Sequence, residues 1–216
     1  MKRLIPAIPF AMAFCLSAAV ADQTTEKSYD YKGFKQVEVA GVFDLKIEVG
    51  PDYSIRLSGP SDEMEKVQTT LSGQSLILDT KDESRRKDRK SRRNGVKAVV
   101  ILPDLHALDI SGVVDAEVSG LDSADFSLEL SGVGDVEISG RCDKFHANVS
   151  GVGELDAGGF ECKAVDVNVS GVGEAKVYAA DSVDARISGI GEISVYGAPS
   201  IIRKQDSLFS KITIVE

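Results

Sequence analysis

From residue 105 to residue 198 apolar and polar positions alternate in short runs, with no convincing helical period. Phe126, Leu128 and Leu130 form one such run, Val165, Val167 and Val169 another, and Val183, Ala185 and Ile187 a third. Each is followed by a short glycine-bearing segment and a second run: Val136 and Ile138, Leu155 and Ala157, or Ile193 and Val195. Period two over β-branched stretches predicts half-buried strands. The intervening segment recurs as SGVVD, SGVGD, SGVGE, SGVGE and SGIGE, starting at Ser111, Ser131, Ser150, Ser170 and Ser188. The steps are 20, 19, 20 and 18 residues. A weaker copy lies earlier, where "VEVAGVFDLKI" (37–47) matches "LELSGVGDVEI" (128–138) position for position. Gly41 falls on Gly132 and Asp44 on Asp135, while Phe43 replaces the second glycine.

One unit is therefore strand, bend, strand and turn. A unit this small cannot bury a core alone, and stacking its neighbours can. The pattern predicts an all-β solenoid of about 20 residues per coil, with coils about 4.8 Å apart. Gly112, Gly132, Gly134, Gly151, Gly153, Gly171, Gly173, Gly189 and Gly191 are read as structural corner residues, because a sharp bend needs close backbone approach. Val133 is expected to carry the inward face across the corner, with Val136 and Ile138 filling the core.

Residues 50–104 are less regular. "YSIRLSG", "SLILDT" and "VKAVVILP" read as strands, and Asp62 to Gln68 as a short helical turn. Between them, residues 81–97 hold nine basic and three acidic side chains. So charged a stretch predicts an exposed loop, and contact with an anionic surface is its candidate role. "LFSKITIVE" reads as a last strand, and the ends of a solenoid need covering.

The recurrent S-G-[VI]-G-[DE] motif, the V-x-V-x-G-x-F-D opening and the closing "VYGAPSI" resemble the GIN domain, the head domain of auto-transporter adhesins. The resemblance runs from Phe34 to Ile202. It implies an exported, right-handed, parallel β-helix-like protein and no particular activity. The resulting division is a lead-in at 22–33, the GIN-type solenoid at 34–202 and a C-terminal strand or cap at 203–216.

The first residues read differently. Lys2 and Arg3 precede an apolar stretch, and Ala19-Val20-Ala21 fits a signal-peptidase site, so 1–21 is read as a signal peptide. No later run is apolar enough to span a membrane as a helix. Removing Lys2 and Arg3 leaves 23 basic against 34 acidic residues. That balance disfavours nucleic acid as a partner. Export to the periplasm or cell surface of a Gram-negative-type bacterium is the expected location.

Asp115, Asp135, Glu154, Glu174 and Glu192 occupy one position in five consecutive copies. Stacking would make them an outward carboxylate ladder. It serves either as a solvated edge, as a set of calcium ligands, or as a carboxylate pair of a polysaccharide-cleaving enzyme. A catalytic pair should be singular, and five equivalent copies speak against it. The motif serines lack a recurring histidine and read as hydrogen-bonding corner residues rather than nucleophiles. Cys142 and Cys162, 20 residues apart, fall in neighbouring coils, and a disulfide between them is expected. The function expected is a non-catalytic binding or scaffold module of the cell envelope, with no required cofactor. The alternatives are a polysaccharide-acting β-helix enzyme and a calcium-binding adhesion module.

Overall fold

The computed structural model describes residues 24–80 and 95–215. The signal peptide assigned to 1–21 and most of the basic segment lie outside these residues. The described chain is a stacked β-solenoid whose strands join one continuous sheet.

The N-terminal end is the irregular part. Strand β1 (Thr24–Tyr29) lies antiparallel on the later β4 (Ser54–Pro60). β2 (Gln36–Ala40) and β3 (Val42–Val49) meet at Gly41 and form the first motif corner. After β4, a single turn of helix, α1 (Ser61–Met64), buries Met64 beneath it. The expected helical turn is thus shorter than Asp62–Gln68, because Val67 already opens β5 (Val67–Ser72). β5 folds back on β6 (Ser75–Thr80) as an antiparallel hairpin, turning at Gly73 with φ +60°. Positive φ suits glycine at such a turn.

β6 lies parallel on β2, and β7 (Val96–Leu102) lies parallel on β3. The two strands flanking residues 81–94 therefore stack on the two arms of the Gly41 corner. Gly95 packs beside Val42, and Thr80 beside Gly41. Most of the basic segment, residues 81–94, is the stretch of sequence that connects these two strands. Val96 and Lys97, counted with that segment from sequence, belong to β7, and Val96 is buried.

The regular stack follows. β8 (Ala107–Ile110) lies on β2, and β9 (Val113–Leu130) pairs through its first half with β3 and through its second with β8. β10 (Val136–Val149), β11 (Val152–Val169) and β12 (Val172–Ile187) each add a coil in parallel register. β13 (Ile190–Tyr196) and β14 (Ile201–Gln205) both lie on β12, and β15 (Ser210–Val215) lies on β13. Register shifts fall between Ile138 and Gly140 and between Ala157 and Glu161. These bulges absorb the unequal repeat lengths on the side away from the motif, and the motif itself stays in register.

The core is a column of inward side chains. Leu128, Ala147, Val167 and Ala185 stack on one arm, and Ala116, Val136, Leu155, Ala175 and Ile193 on the other. Phe126, Phe145 and Phe160 close the far side, with ring centroids 5.2–5.9 Å apart. All three are buried. Truncating one ring would cost about 3–5 kcal/mol, since neighbouring coils cannot collapse into the gap.

Candidate functional site

Strand alternation does not stop at the corner. Leu130 and Val136 point inward, and so do the positions of Gly132 and Gly134 between them. Ser131, Val133 and Asp135 point outward. The coils pass so close on the inner side that no side chain fits there. A Cβ on Gly132 would lie 2.0 Å from the carbonyl oxygen of Gly112, and one on Gly171 1.9 Å from that of Gly151. The second glycine forms a parallel column. Gly134, Gly153 and Gly191 have φ between +147° and +155°, a region open in practice only to glycine. In the first two coils this inward position is filled by Phe43 and Val114, both buried.

The expectation that Val133 fills the core is therefore overturned. Val133 stands three residues from both Leu130 and Val136, so its parity places it outside. Among the described residues its counterparts in the other motif copies do the same: Val42, Val113, Val152, Val172 and Ile190 are each 49–56% exposed. They are in register, Val42 on Val113, Val113 on Val133, Val133 on Val152, Val152 on Val172 and Val172 on Ile190. Six β-branched side chains thus form one apolar ridge roughly 24 Å long at strand spacing. Singly exposed valines need no explanation, but a contiguous line of them marks a contact surface.

Carboxylates flank the ridge on one side. Asp44 stands on Asp115, and Glu154 on Glu174 and Glu192. Asp135 sits between the two groups, its side chain accepting a hydrogen bond from the Glu154 backbone N–H at 3.0 Å. A shallow groove beside the ridge is lined by Asp44, Asp115, Asp135 and Glu154 together with Glu117 and Glu137. Parts of the ladder are neutralised from within. Lys176 Nζ reaches Glu154 at 2.6 Å, and this bond raises the lysine's pKa. Thr213 donates to Glu192 at 2.8 Å, and Lys211 lies 3.7 Å from it. Among the described residues, Asp44, Asp115 and Glu174 have no such partner, and no three acidic, histidine or cysteine side chains converge as metal ligands.

The tail carries a copy of the motif that composition hides. Ser210 pairs with Gly191 and Lys211 with Glu192. Ser207, Leu208, Phe209, Ser210 and Lys211 therefore stand where Ser188, Gly189, Ile190, Gly191 and Glu192 stand one coil earlier. Leu208 cannot occupy the glycine column, and the turn leaves the stack: Leu208 is 95% exposed. The signal was in the sequence as spacing, Ser188 to Ser207, but both glycines and the acid were gone.

Other polar side chains lie apart. The motif serines face solvent, with Ser131 Oγ donating to the Ile110 carbonyl at 3.3 Å. Lys176, Arg186 and His146 serve separate inter-coil pairs, Arg186 with Asp166 at 3.2 Å and His146 with Asp125 at 3.9 Å. Asp104 takes Lys35 at 2.8 Å and His106 at 2.9 Å, and the Lys35 ammonium holds its carboxyl below the usual carboxylate range. Cys142 and Cys162 are register partners, both buried, with Cα atoms 4.5 Å apart and a disulfide between them.

The family described as "Putative auto-transporter adhesin, head GIN domain" matches residues 33–199. Among solved structures, a "putative adhesin" from Bacteroides fragilis is similar, with a TM-score of 0.75 and 22% identity, covering 90% of this chain and 98% of its own. Another from Parabacteroides merdae has a TM-score of 0.52 and 15% identity, covering 90% of this chain and 97% of its own. Both likenesses are of fold. Among curated proteins, none matches.

Proposed function

Since the chain belongs to the GIN-domain family, we propose that it is a non-catalytic, adhesin-like binding module of the cell envelope whose contact surface is the motif corner. The observation that carries this is the ridge. Val42, Val113, Val133, Val152, Val172 and Ile190 line up in the open, where solubility alone would favour polar side chains. The adhesin names of the two similar structures agree with a binding role.

The occupant that fits is a polypeptide surface of the envelope with an apolar row and cations beside it. The apolar row would cover the ridge, and the cations would meet Asp44, Asp115 and Glu174. Opposed rows of charge favour encounter and register more than raw affinity, and salt weakens them. A polysaccharide-cleaving site would need one coil whose carboxylates differ from the rest, and the ladder instead repeats from coil to coil.

The test is sedimentation of the exported protein with envelope fragments of its own organism, before and after trypsin shaving. Binding that disappears on shaving and weakens in 0.5 M salt supports the reading. Binding that survives shaving points to polysaccharide and contradicts it.

A further inference from the structure

The C-terminal end of the solenoid differs in chemistry from the rest of the molecule. β14 and β15 form its last rung, joined by the turn at residues 206–209. The two most exposed large apolar residues of the described chain are here, Leu208 at 95% and Phe209 at 77%. Ile201 and Ile202, on β14, are 59% and 45% exposed. Ile202 stands in register on the buried Val183, so the core column ends there in the open. The cations cluster here too. Residues 201–215 carry Arg203, Lys204 and Lys211 against one acid of their own, Asp206, in a chain of net charge −9, while Arg203 stands in register on Asp184 and Lys211 lies 3.7 Å from Glu192.

From this we infer that the C-terminal end docks on an anionic lipid surface. Leu208 and Phe209 enter the headgroup boundary while Arg203, Lys204 and Lys211 meet the lipid phosphates. Exposed apolar side chains on a turn, with long cationic ones on the strands that flank it, combine the two terms that hold an interfacial anchor. The cationic stems can lie along the apolar surface while their heads reach the phosphates. A second copy is the poorer occupant, because a two-fold contact of this end would oppose Arg203 and Lys204 to their equivalents. Among the described residues, Met64 and Phe34 at the opposite end are both buried. The inference uses none of the ridge residues and stands apart from the function proposed above. Docked by this end, the solenoid axis would rise from the membrane and leave the ridge free along its side.

The experiment is co-sedimentation of the exported chain with phosphatidylcholine vesicles, with or without phosphatidylglycerol as a third of the lipid. The expected result is binding to the anionic vesicles, at least fivefold weaker binding to the neutral ones, and release in 0.5 M salt. Leu208→Ser/Phe209→Ser and Arg203→Glu/Lys204→Glu should each lower binding at least fivefold with unchanged circular dichroism. Lys144→Glu, a charge reversal at an exposed position on β10, should bind as the parent does. No binding by the parent, equal binding to both vesicles, or full binding by both double variants would overturn the inference.

Discussion

A methyl group on Gly151 would lie 1.9 Å from the carbonyl oxygen of Gly132 in the neighbouring coil. This contact explains the motif better than any ligand does. The glycines repeat because the backbones touch at the corner, and the residues between them repeat because the corner leaves them outside.

Gly151→Ala should therefore be among the most damaging small substitutions in the chain. Backbone must move to admit the methyl, at a cost of about 3 kcal/mol or more. Gly159→Ala is the control, since its Cβ would meet nothing closer than 3.7 Å. Urea unfolding should show a large fall in midpoint for the first and a change within about 0.5 kcal/mol for the second. Equal midpoints would show that the coils are not in contact there.

The Cys142–Cys162 bond closes a 20-residue loop across neighbouring coils. The oxidised protein should be two mass units lighter than the reduced one. Cys142→Ser/Cys162→Ser should lose about 3 kcal/mol by the loop-entropy argument. Two free thiols in protein purified without reductant would contradict the bond.

Asp109 stands in register between Glu38 and Glu129. Asp109 lies on the exposed face, and partial desolvation there raises its carboxyl's pKa, with Glu38 adding to the effect. A carboxyl raised in the folded state ionises more readily unfolded, so it lowers stability as pH rises from the unfolded value through the folded one. Asp109→Asn should raise Tm at pH 7 and make no difference below the unfolded value near 3.8. A lower Tm at pH 7 would show that the ionised group has a stabilising partner.

The carboxylate ladder behaves in this account as a solvated edge, partly neutralised by Lys176 and Lys211. Calcium at 5 mM should shift Tm by no more than sodium chloride of equal ionic strength does. A specific site held at 100 times its Kd would add about 2.7 kcal/mol, a shift easily seen by differential scanning fluorimetry. A saturable rise with calcium that chelator reverses would assign the ladder to cation binding.

Much of this molecule was legible in its sequence. The five motif copies and the period-two runs around them foretold a β-solenoid and a carboxylate ladder, because stacking repeats a position in space whenever it repeats in sequence. What failed failed for local reasons. Val133 reads as carrying the inward face across the corner, although counting alternate residues from Leu130 to Val136 places it outside. The outward ridge follows from the same count. The last copy is hidden in the sequence because Leu208, Ser210 and Lys211 replace both glycines and the acid, leaving only spacing to mark it. The N-terminal region depended on antiparallel pairings such as β1 on β4, which no repeat announces.

The most direct test of the ridge as a contact surface is the variant Val133→Thr/Val152→Thr/Val172→Thr. Threonine keeps the β-branched shape that a strand favours and replaces one exposed methyl with a hydroxyl. The quantity to measure is affinity for unshaved envelope fragments, alongside Tm. The account predicts a nearly unchanged Tm and at least about tenfold weaker binding, a difference of about 1.4 kcal/mol. Binding equal to that of the parent protein would contradict it.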